Sequence, residues 1–179
     1  MSARAEDPAD AADASASAGA AAAAPAVSGA ASASAALAEP GGEPLRVAIV
    51  DDSRSQREGW ALLIGSQPDL LIVGQAGDGA QAFALARREP IDVLLMDIQM
   101  PRVNGLVAAG RISADARVRE LGPPPRIVLV TAIDLDAYVP GAAVAGAYAV
   151  LYKDVDPEGL FETIREAAAF RGTSFGDEE

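Results

Sequence analysis

From Leu45 to Phe170 the chain alternates short, predominantly apolar runs with longer stretches in which apolar residues recur three and four apart. The runs Leu45–Val50, Leu70–Ala76, Ile91–Met96, Ile127–Thr131 and Ala149–Tyr152 read as strands. Their apolar character on both alternating faces is that of strands buried on two sides. The stretches between them read as helices. Arg54–Ile64 presents Trp60, Leu63 and Ile64 on one face and stops at Gly65. Ala80–Arg88 turns Phe83 and Ala84 inward, after a Gly77-Asp78-Gly79 turn. Leu106–Ile112 opens a third helix that extends towards Leu121, until Gly122-Pro123-Pro124-Pro125 ends it. Asp134 is placed to cap a helix over Leu135–Ala145. Asp156-Pro157-Glu158 is a helix start, with Pro in the first turn, and Leu160, Phe161, Ile164 and Ala168 then mark one face up to Phe170.

Strand-then-helix repeated five times over about 127 residues implies a parallel sheet covered by helices on both faces. Right-handed crossovers leave few topologies. The expected one is a doubly wound five-stranded α/β sheet in the flavodoxin-like order 2-1-3-4-5, with the first and third strands adjacent at the switch point.

Composition sets the limits of this domain. Residues 1–43 hold 20 Ala and, besides one Arg, six acidic residues among Ser, Gly and Pro. No amphipathic stripe is present, so this stretch is expected to be a disordered tail, transiently helical around Ala18–Ala24, that adds little to stability. It does not read as a signal peptide, because its start is acidic rather than basic and its Ala run lacks Leu, Ile and Phe. The domain is expected over 44–171, with a short acidic tail over 172–179. No segment is long and apolar enough to span a membrane, and a cytoplasmic location is expected. Net charge is -12, which disfavours direct binding to nucleic acid. Cys and His are both absent. Disulfides, thiolate or histidine catalysis and His- or Cys-bound metals are therefore excluded, and the chain cannot itself carry a phosphohistidine. Carboxylates, hydroxyls, Lys and Arg remain, and they suit a hard cation such as Mg²⁺.

Reactive side chains gather at the strand ends. Asp51 and Asp52 follow the first strand, Asp97 ends the third, Thr131 the fourth and Lys153 the fifth. In a parallel sheet these ends share one edge, where such folds bind their ligands. Three clustered carboxylates repel one another unless a cation neutralises them. Mg²⁺ is expected on Asp52 and Asp97 directly, with the Gln99 carbonyl joining and Asp51 acting through water. Asp97 is then a credible nucleophile towards phosphorus, because carboxylates form acyl phosphates. Lys153 and Thr131 are placed to stabilise charge on the phosphoryl oxygens.

Val47-Ala48-Ile49-Val50-Asp51-Asp52, Met96-Asp97-Ile98-Gln99-Met100-Pro101 with Gly105, Val130-Thr131-Ala132 and Leu151-Tyr152-Lys153-Asp154 together resemble the CheY-like receiver domain of two-component response regulators. Asp134–Val139, Ala145-Gly146-Ala147 and Lys153-Asp154 are similar to its NarL/FixJ-type branch. The resemblance implies that Asp97 accepts a phosphoryl group from the phosphohistidine of a sensor histidine kinase. It also implies metal roles for Asp51, Asp52 and Asp97 and phosphoryl contacts for Thr131 and Lys153. The expected role is a phosphorelay switch rather than an enzyme. Its output face would be the helix 135–145, strand 149–152 and helix 158–170, read by a partner protein or a second copy of the chain.

The sequence departs from the family pattern in three ways. These 179 residues end about nine after the last helix, before the helix-turn-helix domain that usually follows in this branch, as either a truncated chain or a stand-alone receiver would. Val150 stands three before Lys153, where the family often has an aromatic switch residue. Ser113–Arg126 is longer than usual for the link into the fourth strand. Two other functions compete. One is a Mg²⁺-dependent phosphohydrolase, which would want a carboxylate where Gln99 stands. The other is an interaction module that takes up no phosphate. Gly74, Gly77 and Gly79 do not form a nucleotide-binding Gly-x-Gly-x-x-Gly pattern.

Overall fold

The computed structural model describes residues 43–170; the tails expected over 1–43 and 172–179 lie, Glu43 apart, outside the described residues. The five strands are β1 (Leu45–Val50), β2 (Leu70–Ala76), β3 (Val93–Asp97), β4 (Arg126–Thr131) and β5 (Ala149–Tyr152). They form one parallel sheet in the order β2-β1-β3-β4-β5, as the alternation predicts. β1 and β3 are neighbours, with Val50 beside Met96, so the carboxylates that follow them meet at the switch point. A bulge where β2 passes Val47 and Ala48 is the sheet's one irregularity of register.

The helices are α1 (Arg54–Gly65), α2 (Gly79–Ala86), α3 (Gly105–Ala114), α4 (Ala116–Glu120), α5 (Leu135–Val144) and α6 (Pro157–Ala169). Alternate residues of each strand feed two cores. Ala48, Val50, Leu94, Met96, Ile127 and Leu129 pack under α2, α3 and α5. Val47, Ile49, Val93, Leu95, Val128 and Val130 pack under α1 and α6, around Trp60, Leu160 and Ile164. Side chains alternate across a strand, so one apolar run supplies both layers. Among the described residues no helix is long and apolar enough to cross a membrane.

Local chemistry sets most helix starts. Ser53, Asp78, Asn104 and Asp156 are extended and accept from the backbone N–H of Gln56, Gln81, Val107 and Gly159 respectively. The expected third helix does not run to Leu121. It breaks at Asp115, whose extended backbone ends α3 and whose carboxylate caps the separate α4 through Val118 N–H at 3.1 Å. An Asp can cap a new turn with its own side chain, and here that competes successfully with propagation of the helix. The long link is thus filled by a short helix before the Gly-Pro stop. Asp134 also departs from expectation. It precedes α5 but adopts a left-handed backbone, φ 54°, and its side chain makes no cap bond.

Candidate functional site

The ends of β1, β3, β4 and β5 build the site. Asp51, Asp97 and Thr131 are buried, whereas Asp52 is exposed. Carboxylate oxygens of Asp51, Asp52 and Asp97 lie within 4.8 Å of one another. The Lys153 ammonium donates to Asp51 Oδ2 at 2.7 Å and to Asp97 Oδ2 at 2.8 Å. Part of the neutralisation assigned to a metal from sequence is therefore supplied by a residue 102 positions from Asp51. The other oxygens of the pair are held by main chain. Ser53 N–H donates to Asp51 Oδ1 at 2.9 Å and Gln99 N–H to Asp97 Oδ1 at 3.0 Å.

Burial pushes the Asp97 carboxyl above its ordinary range, against the hydrogen bonds of Lys153 and of Gln99 N–H; the Asp51 charge adds to the rise. Burial opposes the Lys153 ammonium too, but its bonds to Asp51 and Asp97 outweigh that cost and raise it. One ammonium shared by two buried carboxylates leaves the pair short of positive charge. The donor set fits a hard divalent cation, because it is all oxygen, it is under-neutralised, and Asp52 makes no side-chain hydrogen bond among the described residues.

Thr131 lies on the same edge, joined to Lys153 through Lys153 N–H to Thr131 O at 2.8 Å. Its hydroxyl is not directed at Asp97. It donates to Ile133 O at 2.7 Å and accepts from Ile133 N–H at 3.3 Å. The sequence argument missed three contributors. Arg57 on α1 donates to the Asp51 carbonyl at 2.6 Å and ties the β1–α1 loop; nothing in its spacing singles it out. Gln99 Nε2 donates to the Tyr138 hydroxyl at 3.0 Å across 39 residues. Asp78 is buried and receives Arg102, which follows Pro101 in the acceptor loop with a left-handed backbone. Val150 packs in the core beneath α2, α3 and α5, while Tyr148 faces the opposite core and meets Phe170, ring centroids 5.3 Å apart.

The chain matches the response regulator receiver domain family over residues 47–165. It is 41% identical over 126 residues to the transcriptional regulatory protein YxjL of Bacillus subtilis, covering 70% of this chain and 55% of that one. It is 38% identical over 129 residues to the nitrate/nitrite response regulator NarP of Escherichia coli, covering 72% of this chain and 57% of that one. The chain thus spans a little over half the length of these relatives. The signal receiver domain of a NarL response regulator from Mycobacterium tuberculosis superposes with a TM-score of 0.64 at 32% identity, covering 73% of this chain and all of that one. Sheet order, carboxylate cluster and these likenesses agree: the chain belongs to the response regulator receiver family, in its NarL-type branch, whose domains are phosphorylated on an aspartate in two-component signalling.

Proposed function

We propose that Asp97 is the phosphoacceptor of this receiver and that the domain extends over 44–171. The observation that carries this reading is the Lys153 ammonium held at 2.8 Å from the buried Asp97 carboxylate and at 2.7 Å from Asp51. A carboxylate whose basicity is raised by burial is the better nucleophile. Its oxygen attacks phosphorus on a partner kinase's phosphohistidine; the O–P bond forms, the P–N bond breaks, and the imidazole leaves with the electron pair. Lys153 and Thr131 are the groups that would receive the phosphoryl oxygens, and Lys153 already stands at the acceptor. Mg²⁺ would be held by Asp51, Asp52, Asp97 and the Gln99 carbonyl, and when bound it supplies the charge that the ammonium alone does not. The phosphohydrolase alternative gains no support, since the residue two beyond Asp97 is an amide already engaged with Tyr138. The output is proposed to be a change in the α5–β5–α6 face, read by a partner protein or a second copy, with no DNA contact by this chain.

Labelling from acetyl phosphate or a kinase tests the assignment. Asp97→Asn keeps the shape and should abolish labelling. Asp52→Asn should slow it and weaken Mg²⁺ binding. Retained labelling in Asp97→Asn, with loss in Asp52→Asn, would place the nucleophile on the wrong strand.

A further inference from the structure

We propose that the hydrogen bond from Gln99 Nε2 to the Tyr138 hydroxyl is a latch that holds α5 in the unphosphorylated arrangement. The inference rests on reading Asp97 as the acceptor. Gln99 touches both sides of the matter. Its main-chain N–H sits on Asp97 Oδ1 at 3.0 Å, and its side chain crosses to the first turns of α5 at 3.0 Å.

α5 is held by little else. Of its ten residues only Ala142 is buried, whereas α6 buries Leu160, Phe161, Ile164 and Ala167. Its start at Asp134 has a left-handed backbone and no side-chain cap, and Pro140 removes an internal donor. Leu106, Gly110, Pro140, Gly141 and Val144 line an open apolar groove of about 740 Å³ between α3 and α5. The Tyr138 ring packs partly buried against the core, and its hydroxyl is a polar tether near the front of the helix.

The direction of the effect follows from Thr131. Its hydroxyl is spent on Ile133 O at 2.7 Å. To meet a phosphoryl group on Asp97 it must release Ile133, and the turn over 131–134 then loses the side-chain bonds that tie it to β4. Those residues lead straight into α5, so the start of the helix shifts relative to Gln99, which stays pinned to Asp97. A 3.0 Å hydrogen bond does not survive a displacement of that kind. The bond therefore stabilises the resting arrangement and subtracts from the affinity for a phosphoryl group. Val150, at the usual aromatic position, has no polar atom with which to report the movement; Tyr138 has one.

The experiment uses the full chain and the variants Tyr138→Phe, Gln99→Met and the double variant. Tyr138→Phe keeps the ring and its packing. Two quantities are read: affinity for beryllofluoride with Mg²⁺, and hydrogen exchange of amides 135–144 without ligand. Each single variant should bind beryllofluoride about fivefold more tightly, the ~1 kcal/mol of one hydrogen bond. The double variant should gain no more than either single one, and exchange in α5 should quicken in all three. Unchanged or weaker beryllofluoride binding in Tyr138→Phe overturns the latch, and faster exchange alone would mean a tether without a switching role. Asp97→Asn separates the two readings. If it binds beryllofluoride as the parent does, the acceptor assignment fails, and unchanged exchange in Tyr138→Phe would then overturn the latch by itself.

Discussion

At the scale of single residues, the site depends on close approaches that leave no room for side chains. Gly105 opens α3 directly against the main chain of β3's end. A Cβ there would collide with the Asp97 carbonyl and meet Ile98 Cα at 2.9 Å. Both obstacles are backbone, and Gly105 N–H is itself bonded to Ile98 O at 2.9 Å, so the loop cannot swing aside cheaply. Gly105→Ala should lower stability by about 2–3 kcal/mol and slow phosphoryl uptake, because Asp97 must shift with its own carbonyl. Denaturant melts and acetyl phosphate labelling would check both; unchanged values would mean that the loop relaxes freely. Glycines without such neighbours, Gly59 and Gly110 among them, should tolerate Ala.

At the scale of elements, Asp92 joins three strands at the edge opposite the site. Its N–H donates to Arg46 O at 2.8 Å, and its carbonyl accepts from Arg126 N–H at 2.9 Å. Its carboxylate accepts from Arg46 N–H at 2.7 Å, from Nε at 3.1 Å and from a terminal guanidinium nitrogen at 3.0 Å. Burial pushes this carboxyl up, but the Arg46 bonds outweigh it and hold the carboxyl below its ordinary value of 3.8. A lowered folded-state value means that the carboxylate's contribution is complete above the unfolded value and is lost as pH falls through the folded one. Asp92→Asn should therefore melt on the order of 4 °C lower near neutral pH, for a loss of about 1 kcal/mol at this part-exposed pair. The gap should close below pH 3.8. Thermal melts of both proteins across that range would decide; a gap that persists in acid would mean that packing, not charge, holds the junction.

At the scale of the whole molecule, two cores and a complete sheet lie within the described residues, while the carboxylate cluster works against them. A folded state that gathers Asp51, Asp52 and Asp97, with one ammonium shared by two of them, should gain from any cation it binds and the unfolded chain does not. Mg²⁺ at a hundred times its dissociation constant should add about 2.7 kcal/mol, a rise in melting temperature on the order of 11 °C. Calorimetry with and without Mg²⁺ should find that rise in the parent and little of it in Asp52→Asn. An equal rise in both would place the ion elsewhere.

How much was legible in the sequence divides along physical lines. The five strands and their parallel arrangement were readable because strands covered on both faces are written as predominantly apolar runs, interrupted here by little more than Arg46 and Gln75. Asp51, Asp97, Thr131 and Lys153 were readable as one constellation because parallel strands carry their ends to one edge. Caps at Ser53 and Asp156 were local and so were visible. The break at Asp115 was local too, but it turned on whether one side chain bonded its own backbone, which composition does not settle. Only the tertiary structure decided the rest. Lys153 meets two carboxylates 56 and 102 residues away, Thr131 turns to Ile133, and Gln99 reaches Tyr138. Periodicity places a side chain on a face. Which partner its polar tip finds there depends on how neighbouring strands and helices stand against one another, and that is set by the packing of the two cores.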